Sequence, residues 1–186
     1  MGLAAGSAAP LGGLNQYALV AYIQDPLGSF LETVRREIVP GCSLRSHVSV
    51  LPPRPIERPA EVAAAQIDGQ CLVSARFRIY VTRIELFPVT NVIYLALGQG
   101  EQSLKALHDS LNREALAYDE PFPFHPHITL AQELQPDLVE HAREFATRRW
   151  AEFPHPRYFE VETITFARNH GQNTWRDLSS HNLAPR

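Results

Sequence analysis

The chain has 186 residues, 45% hydrophobic and 20% charged, enough for one sizeable core or two small lobes. Its 17 Lys and Arg against 20 Asp and Glu leave a formal charge of -3, which excludes the broad basic field of non-specific duplex binders and makes any nucleic-acid contact local. Cys42 and Cys71 form no short-spaced metal or redox motif and no disulfide scaffold, and no apolar run approaches the roughly 18 residues of a membrane span. A cytoplasmic protein is expected, with no membrane partner.

Residues 1–13 are small, uncharged and rich in Ala and Gly, without the basic start of a secretory signal, and read as a flexible tail. Tyr17 to Gln24 reads as a buried strand. Asp25-Pro26 then supplies a cap and a first-turn proline for a helix with Leu27, Phe30, Leu31, Val34 and Ile38 at helical spacing. Pro40-Gly41 stops it. A strand with His47 and Ser49 follows, closed by Pro52-Pro53, and Pro59 to Ile67 suggests a short helix. Leu72 to Phe87 reads as a long strand in which Phe77, Ile79 and Val81 alternate before Ile84 and Leu86 shift phase, as at a bulge.

The second half repeats this order. Asn91 to Leu97 is a strand, Gly98 and Gly100 turn the chain, and Ser103 to Ala117 is a helix carrying Leu104, Leu107, Leu111 and Ala115. Pro121 to Pro126 leads into a strand with His127 and Thr129, 80 residues after the first motif histidine. Pro136 opens a helix with Leu138, Ala142, Phe145 and Ala146 on one face, Asp137 and Glu140 near its start, and Arg148 and Arg149 near its end, as the helix dipole prefers. Tyr158 to Ala167 is a strand, with Thr174 to Leu178 a short partner across a loop holding Asn169, Gly171 and Asn173. Two similar halves of alternating strands and helices argue for an α+β or α/β protein of two small lobes, one domain over 14–186. A pseudo-two-fold axis would set equivalent strands side by side and the two motifs opposite each other across a cleft.

Those motifs are Ser46-His47-Val48-Ser49-Val50-Leu51 and Pro126-His127-Ile128-Thr129-Leu130-Ala131. Each places a histidine two residues before a hydroxyl, and a strand's period of two turns both to one face. Chance alone supplies roughly one such match in a chain of this composition. A third match, His108-Asp109-Ser110, lies in a helical stretch, where residues two apart do not face each other. The two strand motifs in duplicated context are what exceed chance.

Two imidazoles on opposite sides of one phosphorus suit in-line displacement, one taking a proton from the attacking water and one giving a proton to the departing alkoxide. The Ser49 and Thr129 hydroxyls, about 7 Å along the strand, would donate to the non-bridging oxygens. No metal or cofactor is needed. Other readings stay open: a satisfied polar pair in each strand, or His125 and His127 as metal ligands with His108 or His155. His141, His170 and His181 show no partner and read as surface residues. Phe87, Tyr94, Phe122 and Phe124 are stacking candidates by position, and Arg45 and Arg54 flank the first motif, reading more readily as solvated arginines than as phosphate ligands.

The duplicated motifs, their separation and the opening Tyr17-Ala18-Leu19-Val20-Ala21-Tyr22 resemble the two-histidine phosphoesterase superfamily, in particular its 2′-5′ RNA ligase-like branch, over roughly Asn15 to Ser180. The resemblance implies an α+β fold of two lobes, two antiparallel sheets flanked by helices. It also implies cyclic phosphodiesterase activity, commonly on 2′,3′-cyclic RNA ends and in some relatives run in reverse to join ends. His127 would be the base and His47 the acid, with a nucleotide or RNA-end cyclic phosphate bound by a monomer. Two positions depart from the pattern: Ser49 stands where Thr is common, and Ala131-Gln132-Glu133 stands where several RNA-acting relatives carry a basic residue. A binding module using the same cleft without turnover, and a hydrolase of a non-nucleic phosphoester, are the competing functions.

Overall fold

A computed structural model describes residues 15–171 and 174–186, so the expected tail and Asn173 lie outside the described residues. Strand β1 (Tyr17–Tyr22) and helix α1 (Leu27–Ile38) lead into β2 (His47–Arg54), then α2 (Ala60–Val73) and β3 (Phe77–Leu86). The second half runs β4 (Ile93–Leu97), α3 (Glu101–Leu111), β5 (His127–Ala131), α4 (Val139–Ala151), β6 (Tyr158–Val161), β7 (Thr163–Asn169) and β8 (Trp175–Asn182). Two four-stranded antiparallel sheets result, ordered β2-β1-β7-β8 and β5-β4-β3-β6. The expected α+β architecture is therefore observed.

Equivalent strands occupy equivalent places, with β1 and β4 inside their sheets and β2 and β5 at the edges. The halves of the chain are not the lobes, however. β3 from the first half joins the second sheet by a hairpin with β4, and β7 and β8 from the second half complete the first sheet. The expected single strand over 158–167 is two strands: β6 pairs with β3, the chain crosses at Glu162, and β7 pairs with β1. Both pieces carry apolar residues, so periodicity alone did not reveal the change of sheet.

Other differences have local causes. α2 continues to Val73, through residues expected in a strand, because Ala63, Ile67 and Cys71 hold a buried stripe at four-residue spacing. β2 runs through Pro52-Pro53 instead of ending there, because it is an edge strand whose outer side has no ladder to lose. α3 ends at Leu111, and Ala115 falls in a separate 3-10 turn at Glu114–Leu116. The expected phase shift in β3 is a register break between Val81 and Ile84 against β4.

One apolar cluster spans both sheets, joining Leu19, Val48, Leu51 and Phe166 of the first to Ile79, Leu95 and Ile128 of the second. The helices pack crosswise over it. α1 lies on β5 and α3 on β2, while α2 covers β8 and α4 covers β3 and β4. Among the described residues no helix is long and apolar enough to cross a membrane.

The β4 to α3 turn shows how tightly this frame is drawn. Gly100 has φ of +96°, and a β-carbon there would sit 2.0 Å from the Arg78 carbonyl oxygen of β3. Gly100→Ala should therefore lower stability by about 2 kcal/mol or more, seen as a fall of about 4–8 °C in thermal midpoint.

Candidate active site

The sequence QDPLGSF enters α1 with the Asp25 carboxylate accepting the Ser29 backbone N–H at 2.9 Å, and the helix returns the chain so that β2 lies antiparallel to β1, His47 opposite Tyr22. α3 does the same between β4 and β5, placing His127 opposite Ala96 and Thr129 opposite Tyr94. Both motif strands bury alternate residues in the same pattern. Val48 and Val50, and Ile128 and Leu130, are buried, whereas His47, Ser49, His127 and Thr129 are half-buried on the other face. The two edge strands lie against each other, which brings the predicted four side chains to one seam.

Each imidazole is held in the same way. His47 Nδ1 donates to the Arg45 carbonyl at 2.8 Å, and His127 Nδ1 donates to the His125 carbonyl at 2.7 Å. A carbonyl only accepts, so Nδ1 carries the proton in both rings and Nε2 is the free basic nitrogen. The Ser49 and Thr129 hydroxyls make no hydrogen bond within the described residues.

A tyrosine stands edge-on to each histidine. Tyr22 lies 6.3 Å from His47 and donates to Asp177 at 2.7 Å; Tyr94 lies 5.2 Å from His127 and donates to Glu85 at 2.8 Å. Burial first, and then the bonded carboxylate, pushes each phenol up to about 12. The phenols therefore stay protonated throughout the working range. Phe87 stacks on Tyr94 at 4.1 Å and stands edge-on to His127 at 5.0 Å. Sequence position had singled out both rings without assigning them to the site, since an aromatic in a strand more often belongs to the core.

Both imidazoles titrate below the ordinary value of 6.5. At His47 burial dominates, opposed by the Arg45 carbonyl and reinforced by the positive charges of Arg35, His127 and Arg45. At His127 burial again leads, opposed by the His125 carbonyl and reinforced by His125. His47 thus senses the charge of His127, and with both values lowered the two rings are neutral at pH 7.

Several other sequence readings are revised. Arg54 is neither a solvated arginine nor a phosphate ligand: it is 1% exposed, ion-paired with Glu120, and donates to Asn112 at 2.7 Å. It ties the end of β2 to the connection preceding β5. Arg45 does lie at the rim, its guanidinium 3.6 Å over Tyr22 and 3.8 Å from Asp177. His181 is not a surface residue. It is buried on β8, bonded to Ser179 at 2.7 Å and to Asp68 of α2 at 2.5 Å, an arrangement that pins the helix to the sheet. His141 and His170 are exposed, as expected.

His108 stacks on Phe124 at 3.9 Å and bonds Asp109 and Glu120, each at 3.0 Å. Among the described residues no three His, Cys, Asp or Glu side chains gather to hold a metal ion. A wide depression of about 750 Å³ beside α2, lined by Val62, Gln66 and Glu114, contains none of the motif groups.

Residues 25–173 match the model of the 2′-5′ RNA ligase superfamily. The chain belongs to that superfamily. A 62-residue stretch is 39% identical to a protein of Oceanobacillus iheyensis provisionally named a phosphoesterase, and it spans 33% of this chain and 36% of that protein. E. coli LigT in its apo form has the same fold, with a TM-score of 0.65 at 14% identity over 91% of this chain and 98% of LigT. Usb1 of Kluyveromyces marxianus follows at 0.58 and 10% identity, over 88% and 97%. At these identities the structural likeness is one of fold.

The lowered pKa values have a signed consequence. The unfolded chain binds protons at these imidazoles more readily than the folded one, so their contribution to stability is full above about pH 6.5 and falls as pH drops through the lowered folded values. NMR titration of the ring protons should give midpoints below 6.5 for both His47 and His127, and His47→Gln should flatten the loss of stability as pH falls below about 6.5. A midpoint above 6.5 for both rings would contradict this account of their burial.

Proposed function

We propose that this member of the superfamily is a phosphodiesterase that opens a cyclic phosphate without a metal ion, its substrate a 2′,3′-cyclic phosphate at a nucleotide or RNA end. The observation that carries the reading is the pair of free Nε2 atoms on facing edge strands, each ring locked in the same tautomer by a carbonyl. Such a pair can act on the two apical oxygens of one phosphorus.

In the hydrolytic direction the Nε2 of His127 takes a proton from water as its oxygen bonds to phosphorus. The bond from phosphorus to one ring oxygen breaks, and that oxygen takes a proton from Nε2–H of His47. The ring has opened to a phosphomonoester, and the histidines have exchanged protonation states. The Ser49 and Thr129 hydroxyls, uncommitted to other partners, donate to the non-bridging oxygens as negative charge grows there. With the hydroxyl of a second end attacking phosphorus in place of water, the same ring opening joins two ends, so ligation belongs to the same proposal.

LigT has been solved as complexes with phosphate, 3′-AMP, ATP and NADP+, which supports a nucleotide or its phosphate as the ligand of this seam too. Ala131-Gln132-Glu133 carries no cation beyond the second motif. Together with the net negative charge, this favours short substrates over long RNA.

A panel of 2′,3′-cyclic mononucleotides, short cyclic-ended RNAs and non-nucleic cyclic phosphoesters, with products separated, tests the reading. Cyclic nucleotides should be opened in the presence of saturating chelator. His47→Ala and His127→Ala should each lower turnover roughly 100-fold or more, and the double variant should lose far less than the product of the two. Full turnover in either single variant refutes the two-histidine mechanism, and ligand binding without turnover by the wild-type protein would make the cleft a binding module.

Ser49→Ala and Thr129→Ala should lower kcat by roughly 10- to 1000-fold with a smaller effect on KM. Because both imidazoles titrate low and one must carry a proton, the profile of kcat/KM against pH should be a bell whose alkaline limb lies below the ordinary histidine value of 6.5. A profile flat from about pH 5 to 9 with chemistry limiting would remove histidine acid-base catalysis.

A further inference from the structure

Arg35 lies on α1 four residues after Leu31, within the stripe that Leu27, Leu31 and Val34 bury against the sheets. It is 6% exposed, and its Nε has no hydrogen-bond partner. The neighbouring arginines differ: Arg36 has Glu32, Arg45 has Asp177 and Arg54 has Glu120, whereas among the described residues no carboxylate pairs with Arg35. Taking an unpaired charge out of water is costly, and a fold normally avoids it or supplies a counter-charge. Directly before His47, the Ser46 hydroxyl is likewise buried, 1% exposed and without a partner.

Contacts of α1 locate Arg35. One helical turn before Arg35, the Glu32 carboxylate accepts the Ser46 backbone N–H at 3.2 Å, which ties the helix to the start of β2. The same helix packs on β5. With Glu32 tied to Ser46 and α1 packed on β5, Arg35 is close enough to the first motif for its charge to be felt at His47.

We infer that Arg35 is the anion receptor of the cleft, its guanidinium donating to the phosphate group on which His47 and His127 act. The inference rests on the phosphoester reading of the cleft and adds the group that balances the substrate's charge. The imidazoles are neutral when the site is free, and the motif hydroxyls are uncharged, so among the described residues nothing else at the seam supplies a buried cation. A guanidinium fits the task because its planar fork matches two phosphate oxygens and it keeps its charge when desolvated. Arg45, paired and exposed at the rim, is a weaker claimant.

Inorganic phosphate is the probe, titrated into the wild-type protein, Arg35→Lys and Arg35→Met, each of which is also assayed on 2′,3′-cyclic AMP. Phosphate should bind the wild type, roughly 10- to 100-fold more weakly to Arg35→Met, and with intermediate affinity to Arg35→Lys. Arg35→Met should unfold at the same temperature as wild type or higher in phosphate-free buffer, since it removes an unpaired charge, and should lose most of the stabilisation that phosphate confers. Equal phosphate affinity in wild type and Arg35→Met, or no binding by wild type, overturns the inference.

Should Arg35→Met fail to fold, the Arg35 Nε–H resonance of the wild-type protein decides. It should move on phosphate addition with the same saturation as the His47 and His127 rings, and an unmoved signal refutes the role. Phosphate binding that depends on Arg35, in a protein that opens no cyclic phosphate, would uphold this inference while refuting the cyclic phosphodiesterase reading.

Discussion

The site depends on two sheet edges lying against each other. β2 and β5 each pair on one side only, and each turns its imidazole and hydroxyl to the face away from its buried valines, leucines and isoleucines. A one-residue slip of either strand would send the histidine into the core and a buried aliphatic residue into the seam. The apolar half of each motif therefore sets the position of the polar half. Burying Val48, Val50, Ile128 and Leu130 is what aims His47, Ser49, His127 and Thr129.

Exchange of strands between the halves of the chain holds the two edges in place. Neither sheet is complete without strands from both halves, and the apolar cluster is continuous across them. The crosswise packing of α1 on β5 and α3 on β2 adds a second clamp. Arg54 and Glu120 form a third tie, linking the end of the first motif strand to the approach to the second. Relative movement of the lobes would have to break all three, which suits a reaction that needs two proton-transfer groups at fixed separation.

The halves reach similar environments by different routes. Both histidines donate Nδ1–H to the carbonyl two residues earlier, and both face a tyrosine bonded to a carboxylate. Asp177, however, comes from β8, while Glu85 comes from β3, and Tyr22 is directly opposite its histidine whereas Tyr94 is opposite Thr129. The shared features are those that set tautomer and protonation. The differences lie in the surroundings of the two rings, with Arg35 and Arg45 near His47 and Phe87 and His125 near His127.

Sequence by itself determined the α+β class, the repeated order of strand, helix and motif strand, and the pairing of histidine with hydroxyl on one face, because each follows from local periodicity. The Val81 to Ile84 break was legible for the same reason. Tertiary structure alone decided that residues 158–169 serve two sheets, that Pro52-Pro53 continues an edge strand, and that Arg54 and His181 are buried in networks with Glu120 and Asp68. Those outcomes depend on partners 66 and 113 residues away for the two side chains, and no period in a sequence encodes a long-range partner. Arg35 stands between these cases. Its four-residue spacing from Leu31 already set a charge within an apolar stripe, but only the packed structure showed that no carboxylate comes to meet it.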